Sequence, residues 1–132
     1  MLLSEINNIF ANVRKNTKIM NTTKTKNALN ALIDFEKNHD GFPKSAITGM
    51  HYLIVRVGTM SGCEIEAGPF ISCDKSVCTM FKKGDKYIIV SVNSRFINIS
   101  ERNYIGAPQC IKKVGRTHTN SAAHFICEYL NK

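Results

Sequence analysis

The chain has 132 residues, of which 43% are hydrophobic, and 18 Lys and Arg against 10 Asp and Glu give a formal net charge of +8. This length suits one domain with one core, so we expect a single domain over residues 1–132. The excess positive charge favours phosphate-rich or acidic partners, and no apolar run approaches the roughly 18 to 20 residues of a membrane helix.

Cysteine usage and the start of the chain predict a cytoplasmic protein. The five cysteines are odd in number and irregularly spaced, and no two form a C-x-x-C pair, which disfavours a zinc knuckle or a disulfide framework. Residues 1–5 lack the basic and apolar regions of a secretory signal, so we expect reduced thiols in the cytoplasm. The abundance of Asn, Ile and Lys is compatible with an AT-rich genome, such as that of many bacteriophages, and hence with a viral protein.

Three segments carry the 3.6-residue period of amphipathic helices. The first covers residues 5–14 behind Ser4, an effective N-cap. The second covers residues 24–39 and precedes Asp-Gly-Phe-Pro, which is typical of a helix end, and the third covers residues 121–131. The apolar positions that define the three stripes are Ile6, Ile9, Phe10 and Val13; Ala28, Leu29, Leu32, Ile33 and Phe35; and Ala122, Phe125, Ile126, Tyr129 and Leu130.

Residues 50–99 hold most of the β-branched and aromatic side chains and predict a mostly antiparallel sheet of four to six short strands. The nearly continuous apolar run at residues 50–57 predicts a central strand. Residues 100–120 show no periodicity and predict a long loop. The fold class expected is α+β, with two N-terminal helices, this sheet and one C-terminal helix. The other predicted strands cover residues 63–67, 70–73, 77–81, 87–92 and 96–99, of which 77–81 and 87–92 form a hairpin.

Basic residues concentrate in segments that predict a nucleic-acid interface. Residues 14–26 and 102–116 contain no Asp or Glu, and three lysines crowd the predicted turn at residues 82–86. These cations would neutralise phosphates, although solvated basic loops show the same pattern. RNA or single-stranded DNA is favoured over duplex because no predicted helix carries a basic recognition face. The predicted contacts are Arg14, Lys15, Lys18, Lys82, Lys83, Arg102, Lys112, Lys113 and Arg116, with Tyr104 for base stacking.

A second hypothesis is a metal-independent ribonuclease that uses His118. This residue lies in the predicted loop at residues 100–120 with Lys112, Lys113 and Arg116, where phosphate would bind, and an imidazole can activate a 2′-hydroxyl as general base. Its catalytic partner would be His124 or Glu128, which lie four residues apart on the same side of the predicted C-terminal helix. An ordinary surface His/Glu pair explains the same spacing.

A third hypothesis is a protein-binding regulator, such as a phage-type host-takeover or inhibitor factor that docks on an acidic partner surface. Its docking element would be the apolar stripe of residues 5–14 or the basic loops.

No metal site and no cofactor are predicted. No two of the four histidines have metal-ligand spacing, and no glycine-rich phosphate loop occurs. The acidic residues Glu64, Glu66 and Asp74 are more typical of the solvent face of a strand than of a cation site. His124 and Cys127 are three residues apart, which is the minimal spacing for a thiolate–imidazole pair, but a buried cysteine is the simpler interpretation.

Overall fold

A computed structural model describes residues 22–41, 43–61, 65–102 and 107–132. The helices are α1 (Thr22–Asn38), α2 (Lys44–Met60) and α3 (Thr119–Leu130). The strands are β1 (Glu66–Ala67), β2 (Ile71–Cys73), β3 (Ser76–Lys83), β4 (Lys86–Val92), β5 (Phe96–Glu101) and β6 (Gln109–Gly115). The predicted helix at residues 5–14 lies outside the described residues.

The six strands form one antiparallel sheet in the order β1-β3-β4-β5-β6, and β2 pairs with the other half of β3. The α+β fold class is therefore confirmed, with two N-terminal helices and one C-terminal helix. The helices predicted at 24–39 and 121–131 are confirmed as α1 and α3. The predicted hairpin is confirmed as β3 and β4, which are joined at Gly84, a residue with a φ of 59°.

The strand predicted at residues 50–57 is wrong, because this segment lies inside helix α2. The buried residues of α2 recur at the spacing of one helical face, and Tyr52 and Arg56 between them are exposed. Pro43 precedes the helix, where its missing N–H costs no hydrogen bond. A short, nearly continuous apolar run fits a buried helix and a buried strand equally well, so the periodicity test fails here. The buried set is Ala46, Ile47, Gly49, Met50, Leu53, Ile54 and Val57.

The loop predicted at residues 100–120 is also wrong in part, because β6 occupies the middle of it. This strand lies at the edge of the sheet and pairs with β5 across an irregularity between Ile99 and Ser100. Two of its apolar residues, Ile111 and Val114, pack against the core. They are three positions apart in the sequence, whereas residues on one face of a regular strand are two positions apart. The irregular register thus removes the alternation that identifies a strand in a sequence.

Helices α2 and α3 cover one face of the sheet, and α1 packs against α2 and β1. Alternate residues of β3, β4 and β5 point into this layer and are almost completely buried, which forms the core with the apolar faces of the helices. No helix in the described ranges is long and apolar enough to cross a membrane. The core positions on the strands are Val77, Phe81, Ile88, Val90, Val92, Ile97 and Ile99.

Candidate nucleic-acid interface

The second face of the sheet carries the candidate site. Along β3, β4 and β5, the residues between the core positions are partly exposed, and cross-strand partners share a face. We call this surface the open face. Its residues are Ile71, Cys78, Met80, Lys82, Tyr87, Ile89, Ser91, Phe96, Asn98, Ser100, Cys110 and Lys113.

Two aromatic rings on the open face each lie beside a lysine. Phe96 is 36% exposed, and the Nζ of Lys113 lies 4.0 Å from the centre of its ring. Tyr87 is 37% exposed and lies directly opposite Lys82 in the β3–β4 register. The register separates the two rings by about six residues along the strands, or roughly 20 Å. Polar Ser91, Asn98 and Ser100 lie on the surface between them, together with apolar Ile89.

A groove of about 560 Å³ lies at the β2–β3–β4 side of the open face. Its apolar lining includes Ile71, Met80 and Ile89, and its charged lining consists of Lys82, Arg102 and Asp85. A second depression of about 400 Å³ shares Tyr87, Asp85 and Arg102 with it and adds Lys86 and Lys132. Cationic side chains therefore converge where the β3–β4 turn meets Arg102. The acidic side chain that lines both depressions is that of Asp85.

Neighbouring lysines on the two relevant strands point to opposite sides of the sheet. Lys82 lies on the open face, whereas Lys83 donates a hydrogen bond from Nζ to Oδ1 of Asn131 at 2.7 Å, beyond the end of α3. Lys113 lies on the open face, whereas the Nζ of Lys112 is 6.0 Å from the ring centre of Phe125 on α3. Strand alternation thus separates residues of equal charge that are adjacent in sequence.

The remaining predicted contacts lie elsewhere. Arg116 is partly buried and donates from Nη1 to the backbone oxygen of Ser45 at 3.5 Å, so it lies against the start of α2. Its backbone N–H donates to the oxygen of Arg95 at 2.8 Å. The structure therefore brings Lys82 and Arg102 together and places Lys113 at the opposite end of the same face. Arg14, Lys15, Lys18 and Tyr104 lie outside the described residues.

His118 is the N-cap residue of α3, and its Nδ1 lies 2.9 Å from the position that a Cβ on Gly115 would take. His124 and Glu128 are exposed on α3, one turn apart. Cys127 is buried. The ribonuclease hypothesis stays a prediction.

The sequence did not single out Tyr87, Phe96 or Asn98. Their alternation with apolar residues is visible in the sequence, but an alternating strand does not show which of its faces a helix covers.

Burial raises the pKa of the Cys78 thiol, which lines the groove. Among the described residues, no group of three or more His, Cys, Asp and Glu is arranged to hold a metal ion.

The candidate interface therefore rests on the geometry of this chain alone. Comparisons with protein-family models, with curated proteins and with solved structures found no match to the sequence or its fold.

Proposed function

We propose that the protein binds single-stranded nucleic acid, RNA or DNA, along the open face of its sheet. The observation that supports this most directly is the pair of exposed rings, Phe96 beside Lys113 and Tyr87 beside Lys82, on a face without a helix of the described chain. Such rings stack on bases of any sequence, and neighbouring cations neutralise the phosphates.

The path runs from Phe96 and Lys113 across Asn98 and Ser91 to Tyr87 and its neighbouring cations. The amide and hydroxyl groups in the middle donate and accept hydrogen bonds at the edges of unpaired bases. In a duplex, base pairing occupies those edges, and stacking covers the faces of the bases. Single strands are therefore the better ligands for a flat surface of this kind.

The first test is a salt titration of binding to single-stranded RNA, single-stranded DNA and duplex DNA. Contacts from Lys82, Arg102 and Lys113 alone predict a slope of log affinity against log salt of about −2 for single strands. If Arg14, Lys15 and Lys18 also contact phosphate, the slope steepens to about −4. No measurable binding to any of the three at low salt would overturn the proposal.

The structure offers two matched pairs of variants. Lys113→Glu is expected to weaken single-strand binding by about tenfold or more, because it places repulsion on the path, and Lys112→Glu is expected to do much less. Lys82→Glu and Lys83→Glu form the second pair. Both members of a pair change net charge equally. Equal losses within both pairs would show that only net charge matters and would refute a defined path on the open face.

The ring contribution is tested with Phe96→Ala and Tyr87→Ala. Loss of stacking on one base costs about 1–3 kcal/mol, which corresponds to roughly 5- to 150-fold in affinity. The salt slope should stay unchanged, since no cation is removed. The substrate is inspected for cleavage after each titration, and cleavage that His118→Ala abolishes would favour the ribonuclease hypothesis.

A further inference from the structure

The side chains of the open face lie in rows that run across the strands. Along one strand, successive residues on the same face are about 6.6–6.8 Å apart, because each residue advances about 3.3–3.4 Å. Cross-strand partners share a face, so the register aligns these residues from strand to strand. Four consecutive rows are that of Phe96; that of Asn98, Ser91 and Lys113; that of Ser100 and Ile89; and that of Tyr87 and Lys82.

The spacing of these rows matches the repeat of an extended nucleic-acid strand. A nucleotide repeat contains six backbone bonds, whereas an amino-acid residue contains three. Since an extended residue spans at most about 3.3–3.6 Å, an extended nucleotide spans roughly 7 Å. Stacked nucleotides advance only about 3.4 Å along a strand. One extended nucleotide therefore covers one row of the open face, and a stacked nucleotide covers about half a row.

The distance between the two rings sets the number of nucleotides. Phe96 and Tyr87 lie in the first and the last of the four rows, which are three row steps or roughly 20 Å apart. An extended strand covers this distance with four nucleotides, whereas a stacked strand needs about seven. Bases that are roughly 7 Å apart do not stack on each other. Their faces are therefore available to the two rings, and their edges to the polar groups between the rings.

We propose that the open face binds single strands of at least four nucleotides in an extended conformation, with one nucleotide on each row. This length requirement rests on the proposed function. The outer bases stack on Phe96 and Tyr87, which accept any base. The base next to the one on Phe96 lies on the row of Asn98, whose side-chain amide donates and accepts hydrogen bonds. Preference for particular bases therefore arises in the two middle rows.

The test is a length series of oligothymidylates from two to eight nucleotides, which compete with a labelled longer strand for the protein at low salt. Thymidylates do not pair with one another, so every competitor stays single-stranded. The affinity is expected to rise steeply up to four nucleotides, because a strand of this length is the first that contacts both rings at once. Each nucleotide beyond the fourth should raise the affinity much less.

Variants of the rings show whether the break in the series comes from stacking. A dinucleotide reaches one ring only, so Phe96→Ala should weaken its binding by about twofold or less, since Tyr87 still stacks on a base. The same variant should weaken tetranucleotide binding by roughly 5- to 150-fold. Tyr87→Phe keeps its ring and should bind every length like the wild type. The control is Tyr52→Ala, which removes an exposed tyrosine on α2, on the helix-covered side of the sheet, and should leave every affinity unchanged.

Three results would overturn the length requirement and leave the proposed binding function intact. One is an affinity that is already at its plateau with two nucleotides. Another is a break at about seven nucleotides, which indicates a stacked strand. The last is an equal effect of Phe96→Ala at every length. Failure of the labelled longer strand to bind would instead refute the proposed function, and the length requirement with it.

Discussion

The contact between α1 and α2 leads to a quantitative prediction for Gly58→Ala. A Cβ at position 58 would lie 2.2 Å from Oγ1 of Thr25 and 3.1 Å from its Cγ2. Thr25 is 4% exposed, so its side chain has little room to move. The substitution therefore forces the two helices apart or pushes Thr25 out of its position.

Two opposing terms set the size of the effect. Alanine is more favourable than glycine inside a helix by roughly 0.5–1 kcal/mol. Overpacking of a well-filled contact costs about 1–3 kcal/mol. The steric term is larger, so the free energy of unfolding should fall by about 0.5–2 kcal/mol in Gly58→Ala.

The control is the same substitution in a Thr25→Ala background. This background removes the two closest atoms and leaves the Thr25 Cβ position, 3.2 Å away, as the nearest neighbour. There, Gly58→Ala should be neutral or stabilising, which gives a coupling energy of about 1–3 kcal/mol between the two positions. The free energies are measured by urea unfolding followed by circular dichroism, with the m-value checked for constancy. Stabilisation by Gly58→Ala in the wild-type background, or equal losses in both backgrounds, would refute this account of the helix contact.

Two further predictions concern one buried and one partly buried polar group. Thr79→Val should raise the free energy of unfolding by about 1 kcal/mol in urea, since the buried Oγ1 of Thr79 has no hydrogen-bond partner in the described part of the chain; a clear loss of stability would contradict this. Burial lowers the pKa of His51 in the folded protein from its usual 6.5. Between the folded and the unfolded pKa, the unfolded chain therefore binds more protons at this residue than the folded protein does. The free energy of unfolding should thus fall as the pH drops below 6.5. His51→Gln should flatten the acid side of the stability profile, and an unchanged profile would assign the acid loss to other groups.

Local patterns were sufficient for some elements. The period of α1 and α3, and the glycine-containing turn between β3 and β4, predicted these elements because helical stripes and tight turns involve residues close in sequence. The α+β class follows from the same signals. The positive charge of the segments around residues 82 and 112 is equally visible in the sequence.

Long-range packing settled the rest. The apolar segment of α2 suits a strand or a helix until its neighbours are known, and it is a helix whose buried face packs against α1, α3 and the sheet. Strand β6 is held by hydrogen bonds to β5 and has too few apolar residues to show itself in the sequence. Lys112 and Lys113 have the same charge, yet one lies near Phe125 and the other on Phe96. The face that each lysine occupies depends on the register and the irregularity between two strands, and this pairing is a property of distant residues that no local pattern contains.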